Sequence, residues 1–370
     1  MTSLVQDDAA LRALCARLAG ATWIALDTEF MRVKTYRARL CLLQVATPEV
    51  VACVDPLAVS IEPLLDVLYD THTLKVLHAA RQDLEVFFDI RQTVPTPVFD
   101  TQIAAALTGY DDQVGYSALV EKITGHKLPK TNQRADWAAR PLSPELLAYA
   151  ADDVRYLRDV YLKLDGELAT RGRRAWLDEE CVALTEPALY RNDPEQAWQR
   201  LKQGKTLNPA QQTALAHLAA WRERIAQQKD LPRGWVIPDP VLTEIARVQP
   251  ETPEQLVAVS GLEPALVRRF GEEVLETLRT GRKLPPLRRW QETTRPEPEQ
   301  QRLIESVGAR IQTCAREHGV SATLLAPRRE IVKFVLGDSD CALLRGWRHQ
   351  LIGAELVTLR ASAGNPRITA

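Results

Sequence analysis

The stretch ALDTEF, residues 25–30, closes an apolar run that begins at Trp23 and sets two acids, Asp27 and Glu29, where a strand should be ending. Along a strand successive side chains alternate faces, so Asp27 and Glu29 point the same way and Thr28 points oppositely. Two carboxylates then share one small patch. Partly withdrawn from water, they are tolerated only if one is protonated or a cation lies between them. A strand end running into solvent would also carry two acids, and short motifs recur by chance, so the reading depends on which other acids the chain brings to this place.

Outward from this stretch, RLCLLQVAT (39–47) and VVACVD (50–55) are short β-rich apolar runs with little between them, which predicts an antiparallel meander. Then come a helix over 61–70, a buried strand over 74–79, a helix over 81–90, a strand over 97–100 and a helix from Thr101. A meander followed by alternating β and α units predicts a mixed sheet with helices on its faces. Residues 115–170 read as largely helical, with 143–168 the longest amphipathic segment, Ser143 as N-cap and Pro144 at the first helical position.

The turn out of the fourth strand, HAARQDLEVF, puts Asp83 at the start of a helix, where a carboxylate is also favoured by about 0.3–1 kcal/mol for purely local reasons. In AYAADDVRYL, Tyr149 and Asp153 are four apart and so share a helical face, while Asp152 points about 100° away.

Beyond 171 the chain turns mixed and polar, predicting linking helices to about 209. A second body over 210–282 shows helical periodicity broken at Pro232, Pro238, Pro240, Pro250 and Gly261, the pattern of a small bundle. A linker over 283–299 precedes 300–370, which repeats the rhythm more loosely and is expected to form a second bundle.

Asp27 and Glu29 on one strand, an Asp after a later strand, and Tyr-x-x-x-Asp on a late helix follow the order and spacing of the DEDD exonucleases, in the branch with a tyrosine. HAARQDLEVF, DTEFMRVKTYRARLCLLQ and KTNQRADWAARPLSPELLAYAADDVRYL resemble the ribonuclease D family over about residues 20–165. AAWRERIAQQKDLPRGWVIPD and SGLEPALVRRFGEEVLE resemble the HRDC domain that follows the nuclease there, and 300–370 then looks like a second, diverged HRDC copy. Ala38 departs from the proline expected before RLCL, but no departure removes a carboxylate.

The resemblance implies an α/β nuclease domain with a ribonuclease H-like mixed sheet over 1–170, followed by two all-α bundles. It also implies hydrolysis of RNA from the 3′ end to nucleoside 5′-monophosphates, with structured RNA and tRNA precursors bearing single-stranded 3′ ends as partners. Asp27, Glu29, Asp83 and Asp153 are the expected ligands of two divalent cations. Magnesium or manganese suits such an all-oxygen set, and the absence of clustered His or Cys argues against zinc. Tyr149, with an ordinary pKa near 10, is expected to orient the attacking water rather than act as a base. Thr28 and Phe30 are candidates to hold the terminal sugar or base, and Arg222, Lys229, Arg268 and Arg269 to grip phosphates. His78, alone at a strand end, reads as structural.

Composition fits this picture. With 370 residues, 45% hydrophobic and 26% charged, the chain affords two or three ordinary globular domains. An acidic start and no apolar run near the roughly 18 residues needed to span a bilayer predict a soluble, cytoplasmic protein needing no membrane and able to act as a monomer. Six scattered cysteines predict reduced thiols. Residues 1–200 carry a net charge of about −7 and 201–370 about +6, a hint of nucleic-acid contact in the second half. A DNA 3′ exonuclease and a catalytically silent RNA-binding scaffold are the competing readings.

Overall fold

A computed structural model of the chain describes residues 3–129, 135–286 and 296–362. The first part of the KTNQRADW motif, residues 130–134, lies outside the described residues, as do 287–295 of the expected linker and 363–370.

The described residues divide into two compact units. One takes in those within Met1–Met31, Leu40–Leu189 and Arg295–Ala370; the other comprises Arg32–Arg39 and Tyr190–Thr294. The first unit is built on a six-stranded sheet of β1 (Ser3–Val5), β2 (Trp23–Met31), β3 (Arg39–Ala46), β4 (Val51–Val54), β5 (Leu74–Leu77) and β6 (Val98–Asp100), in the order β1-β4-β3-β2-β5-β6. The expected meander is present in β2, β3 and β4, with β3 and β4 antiparallel. The unexpected β1 adds in parallel to β4. Inner strand β3 is buried from Leu40 to Ala46, which explains its unbroken apolar run.

Register places the acids. Trp23, Ile24 and Ala25 of β2 pair in parallel with Leu74, Lys75 and Val76 of β5, and β5 stops at Leu77, level with Leu26. Strand β2 therefore runs on past its neighbour, so that Asp27 and Glu29 stand beyond the carboxyl ends of β5 and β6. In α/β sheets this is where ligands bind.

Helices α1 (Asp8–Leu18), α2 (Glu62–Leu68), α3 (Arg81–Arg91), α4 (Thr101–Thr108), α5 (Tyr116–Thr124), α6 (Pro144–Thr170) and α7 (Arg174–Leu184) complete this part of the unit. Ser143 caps α6 through Leu146 N–H at 3.2 Å, with Pro144 in its first turn, as expected. Helix α6 buries Val154, Leu157, Tyr161, Leu164 and Leu168 at helical spacing, in a core shared with Ala25, Val76 and Phe99 of the sheet.

The second unit holds α8 (Pro209–Lys229), α9 (Arg233–Val236), α10 (Asp239–Val248), α11 (Pro253–Val257) and α12 (Pro264–Arg282) around Leu218, Ile245, Phe270 and Val274. The loop from Arg32 to Arg39 belongs to this unit: Asp230 accepts the Tyr36 and Arg37 backbone N–H groups at 3.1 and 3.0 Å, and the Tyr36 hydroxyl donates to Glu223.

The C-terminal region, expected as a second bundle, is helical and packs within the first unit. Helix α13 (Pro298–His318) and the shorter helices after it fall in the first unit, where Val307, Ile311, Phe334 and Trp347 enter the same core as the sheet and α6. Trp347 stacks on Trp176 of α7 at 4.9 Å and donates its indole N–H to Glu180 at 2.8 Å. Ser321 N–H donates to the Ala106 carbonyl at 2.8 Å, and Arg173 donates to the Leu107 carbonyl at 2.6 Å. An amphipathic pattern reports that a helix buries a face, not which partner buries it.

Candidate active site

Carboxylate oxygens of Asp27, Glu29 and Asp153 lie within 4.8 Å of one another, brought together by β2 and α6. Counting four from Tyr149 selects the acid that joins this group: Asp153 faces the strand acids, and Asp152 turns away to pair with Arg155. Asp83, in the first turn of α3, lines the same cleft of about 950 Å³ but stands outside the cluster of three.

Thr28, on the alternate face of β2 and 6% exposed, donates its hydroxyl to Asp83 at 2.5 Å. Thr28 also lines the cleft, with its hydroxyl hydrogen committed to Asp83. Phe30 is half-buried and does line the cleft.

The acids are mutually destabilised. Burial, then the charges of Asp153, Asp83 and Glu29, push Asp27 well above the usual carboxylate range. Burial and the charges of Asp153 and Asp83 push Glu29 up to about 8. Asp153 rises to about 7 through burial and Asp152, and Asp83 to about 7 through burial despite its Thr28 bond. Such a site is short of positive charge. Three oxygen donors this close, all costly to ionise, fit a hard divalent cation, and neither His nor Cys joins the cluster.

Tyr149 lines the cleft, half-buried, and burial together with the charges of Asp153, Glu29 and Asp27 raises its phenol above the ordinary tyrosine range. It is a neutral hydroxyl at physiological pH. Trp137 packs beside it with ring centroids 6.3 Å apart. Arg140 pins that segment by donating to Asp55 at 2.6 and 2.8 Å and to the Trp137 and Cys41 carbonyls at 2.7 Å. Sequence reasoning passed over this clamp because Arg140 and Asp55 are 85 positions apart. His78 is structural, as read: its ring nitrogens meet Thr101 Oγ1 at 2.9 Å and the Val114 carbonyl at 3.1 Å.

Of the four basic residues expected to grip phosphates, Arg222 is corrected. It is 3% exposed, and its guanidinium donates to the Ile237 carbonyl and to Asp239, both at 2.7 Å, so it is part of the second unit's interior. Lys229, Arg268 and Arg269 are exposed, with Lys229 and Arg269 lying over the Phe270 ring at 5.3 and 4.9 Å.

An acidic cluster beyond the strand ends, a tyrosine over it and a mixed sheet define a 3′→5′ exonuclease, and the family model for 3′-5′ exonuclease domains matches residues 2–169. The HRDC domain model matches residues 211–278, and exonuclease domains of this family use divalent metals. The chain is 36% identical over 366 residues to a ribonuclease D of Nitrobacter hamburgensis, spanning 96% of this chain and 94% of the relative. A ribonuclease D of Jannaschia is 38% identical over 369 residues, spanning 94% and 92%. The crystal structure of Escherichia coli RNase D, described as an exoribonuclease involved in structured RNA processing, superposes with a TM-score of 0.88 at 32% identity, covering 98% of this chain and 99% of that one. The catalytic core of RRP6 from Trypanosoma brucei superposes at 0.60 with 25% identity, covering 76% and 79%. The chain belongs to the ribonuclease D family and is a 3′→5′ exoribonuclease. Among the described residues, no helix is long and apolar enough to cross a membrane.

Proposed function

We propose that this chain trims RNA from the 3′ end to nucleoside 5′-monophosphates in the cytoplasm, acting on structured RNAs with single-stranded 3′ ends and on tRNA precursors in particular. The observation that carries the reading is the gathering of Asp27, Glu29 and Asp153 within 4.8 Å beside Asp83 and Tyr149 in one cleft. Asp27, Glu29 and Asp153 would hold two divalent cations, Mg²⁺ or Mn²⁺, with Asp83 completing the set. When bound, such cations lower the pKa of water and stabilise charge on the phosphorus oxygens and the leaving oxygen.

The chain's own groups do the rest. Asp27, Glu29 and Asp153 present the oxygens that would hold the cations, and Tyr149 Oη orients the attacking water by hydrogen bonding without taking its proton. Attack by the water oxygen forms one P–O bond and breaks the bond from phosphorus to the 3′ oxygen of the preceding nucleotide; the water loses one proton to solvent and the leaving 3′ oxygen takes one from solvent, which leaves a new 3′ hydroxyl on the shortened RNA. Phe30, half-buried in the cleft, packs against the terminal nucleotide, and the exposed Lys229, Arg268 and Arg269 meet phosphates.

Incubating a tRNA precursor carrying a 3′ extension with the protein, beside its mature form and a DNA of matching sequence, tests the substrate. Shortening of the extension with arrest near the mature end, and slow action on the DNA, supports the reading. Equal degradation of all three contradicts the choice of RNA and of precursor.

A further inference from the structure

Asp83 is the acid whose placement the strand and helix acids do not explain. It enters the cleft from the first turn of α3, and Ala80, at the N-cap position of that helix, has no side chain able to cap it. A second buried acid, Asp100 at the end of β6, holds the turn that leads into it. Its carboxylate accepts Ala79 N–H at 3.1 Å and Ala80 N–H at 2.9 Å, and also Gln102 N–H at 2.8 Å and Ile103 N–H at 3.4 Å at the start of α4. Ala79 is held at φ +55°, a left-handed conformation that costs an alanine strain and persists only where its surroundings enforce it.

Asp100 also lines the cleft, as a further carboxylate among the acids. A carboxylate offers about four lone-pair sites, and four backbone N–H groups point at this one. Three of them converge on Oδ1 and one reaches Oδ2, so the backbone holds Asp100 through both of its oxygens. From the other side, Thr28 Oγ1 donates to Asp83 Oδ1 at 2.5 Å. Thr28 and Asp83 are 6% and 8% exposed, so water does not compete for this bond.

We infer that Asp100 and Thr28 form the seat of Asp83: Asp100 fixes the turn that aims it, Thr28 fixes the carboxylate itself, and both act as positioning residues for cation binding and hydrolysis. The inference rests on the functional reading above, because a seat matters only if Asp83 serves the reaction. Sequence alone shows Thr28 as the spacer between two acids and Asp100 as the end of a strand, and neither as part of Asp83's environment.

The test compares Thr28→Val, which keeps the shape and deletes the hydroxyl, with Thr28→Ser, which keeps the hydroxyl and deletes a methyl. The full-length protein is used throughout. We expect Thr28→Val to lose about 10- to 100-fold in kcat, the size of one charge-assisted hydrogen bond, with KM for a short single-stranded RNA unchanged. Calorimetric titration with Mn²⁺ alone should show affinity weakened by about 10-fold, and Thr28→Ser should stay within about threefold of the unmodified chain in both readouts. Asp100→Asn should act in the same direction, since its amide nitrogen would face backbone N–H donors. Because that change touches two helix starts, the Thr28 pair decides. A Thr28→Val protein with unaltered kcat and Mn²⁺ affinity, or a Thr28→Ser protein as impaired as Thr28→Val, overturns the seat. If the unmodified chain binds Mn²⁺ but hydrolyses no RNA, the functional reading fails, while the titration still decides whether Thr28 supports the cation site.

Discussion

Replacing Asp27 by Asn should abolish hydrolysis and, in the absence of divalent cations, make the protein more stable. Asp27, Glu29 and Asp153 present oxygens within 4.8 Å of one another, and at that separation with an effective dielectric of about 20 each ionised pair repels by about 3.5 kcal/mol. Three ionised acids would cost about 10 kcal/mol, as much as the whole stability of an ordinary domain, so the cation-free site must keep protons at neutral pH. Burial is the first cause of the upward shifts of all three acids, and the charge of Asp153 adds to it for Asp27 and Glu29. The sign for stability follows. A carboxylate whose pKa is higher folded than unfolded favours the folded state below its unfolded pKa and loses that contribution as pH rises through the folded value, here up to about 8 for Glu29.

The unmodified chain without cations should therefore melt at progressively lower temperature between pH 5 and pH 8. Asp27→Asn, which leaves one repelling pair, should recover about 2–3 kcal/mol at pH 8, or about 4–10 °C in Tm, and almost nothing at pH 5. Adding Mg²⁺ or Mn²⁺ at pH 8 should raise the Tm of the unmodified chain and leave that of Asp27→Asn nearly unmoved. Activity should fall by at least about a thousandfold. Thermal melts at both pH values, with cation and with EDTA, read all of this. An Asp27→Asn protein that melts no higher than the unmodified chain at pH 8 without cation, or that still gains stability from Mn²⁺, refutes the reasoning.

Tyr149→Phe should lower kcat by about 10- to 100-fold without altering the melt, and the alkaline side of the pH-rate profile should keep its shape, because the phenol is pushed above the ordinary range; unchanged kcat removes Tyr149 from the site. Arg222→Ala should cost about 2–3 kcal/mol of stability by leaving the Ile237 carbonyl and Asp239 unpaired, seen in a denaturant melt. Arg269→Ala should leave stability alone and reduce the salt dependence of RNA binding by about one phosphate; the reverse pattern would mean that burial misassigned them. Truncation after residue 297 should yield an aggregating or unfolded nuclease, since it strips Val307, Ile311, Phe334 and Trp347 from the core. A soluble, active truncation judged by gel filtration and hydrolysis would show that the C-terminal helices are an independent bundle after all.

What was legible in the sequence was what short-range chemistry dictates. Period two put Asp27 and Glu29 on one face, spacing four put Asp153 beside Tyr149, and Ser143-Pro144 announced α6. The strand β1 was invisible because three residues show no period. Arg222 looked like a surface cation because an arginine in a helix usually is one, and only the approach of Ile237 and Asp239 buries it. The C-terminal helices carried an amphipathic pattern that fits a bundle or a docked layer equally, and Trp347 stacked on Trp176 is a fact of tertiary structure alone. The end of β6 and the start of α4 were legible, but the grip of Asp100 on Ala79 and Ala80 depends on β5 lying beside β6.

Hydrolysis of a 5′-labelled single-stranded RNA with Mg²⁺, with Mn²⁺ and with EDTA, beside an RNA blocked at its 3′ end, tests the central claim most directly. The account predicts a ladder shortening from the 3′ end that requires a divalent cation and is absent on the blocked RNA. Shortening that persists in EDTA, or cleavage of the blocked RNA at internal positions, would contradict it.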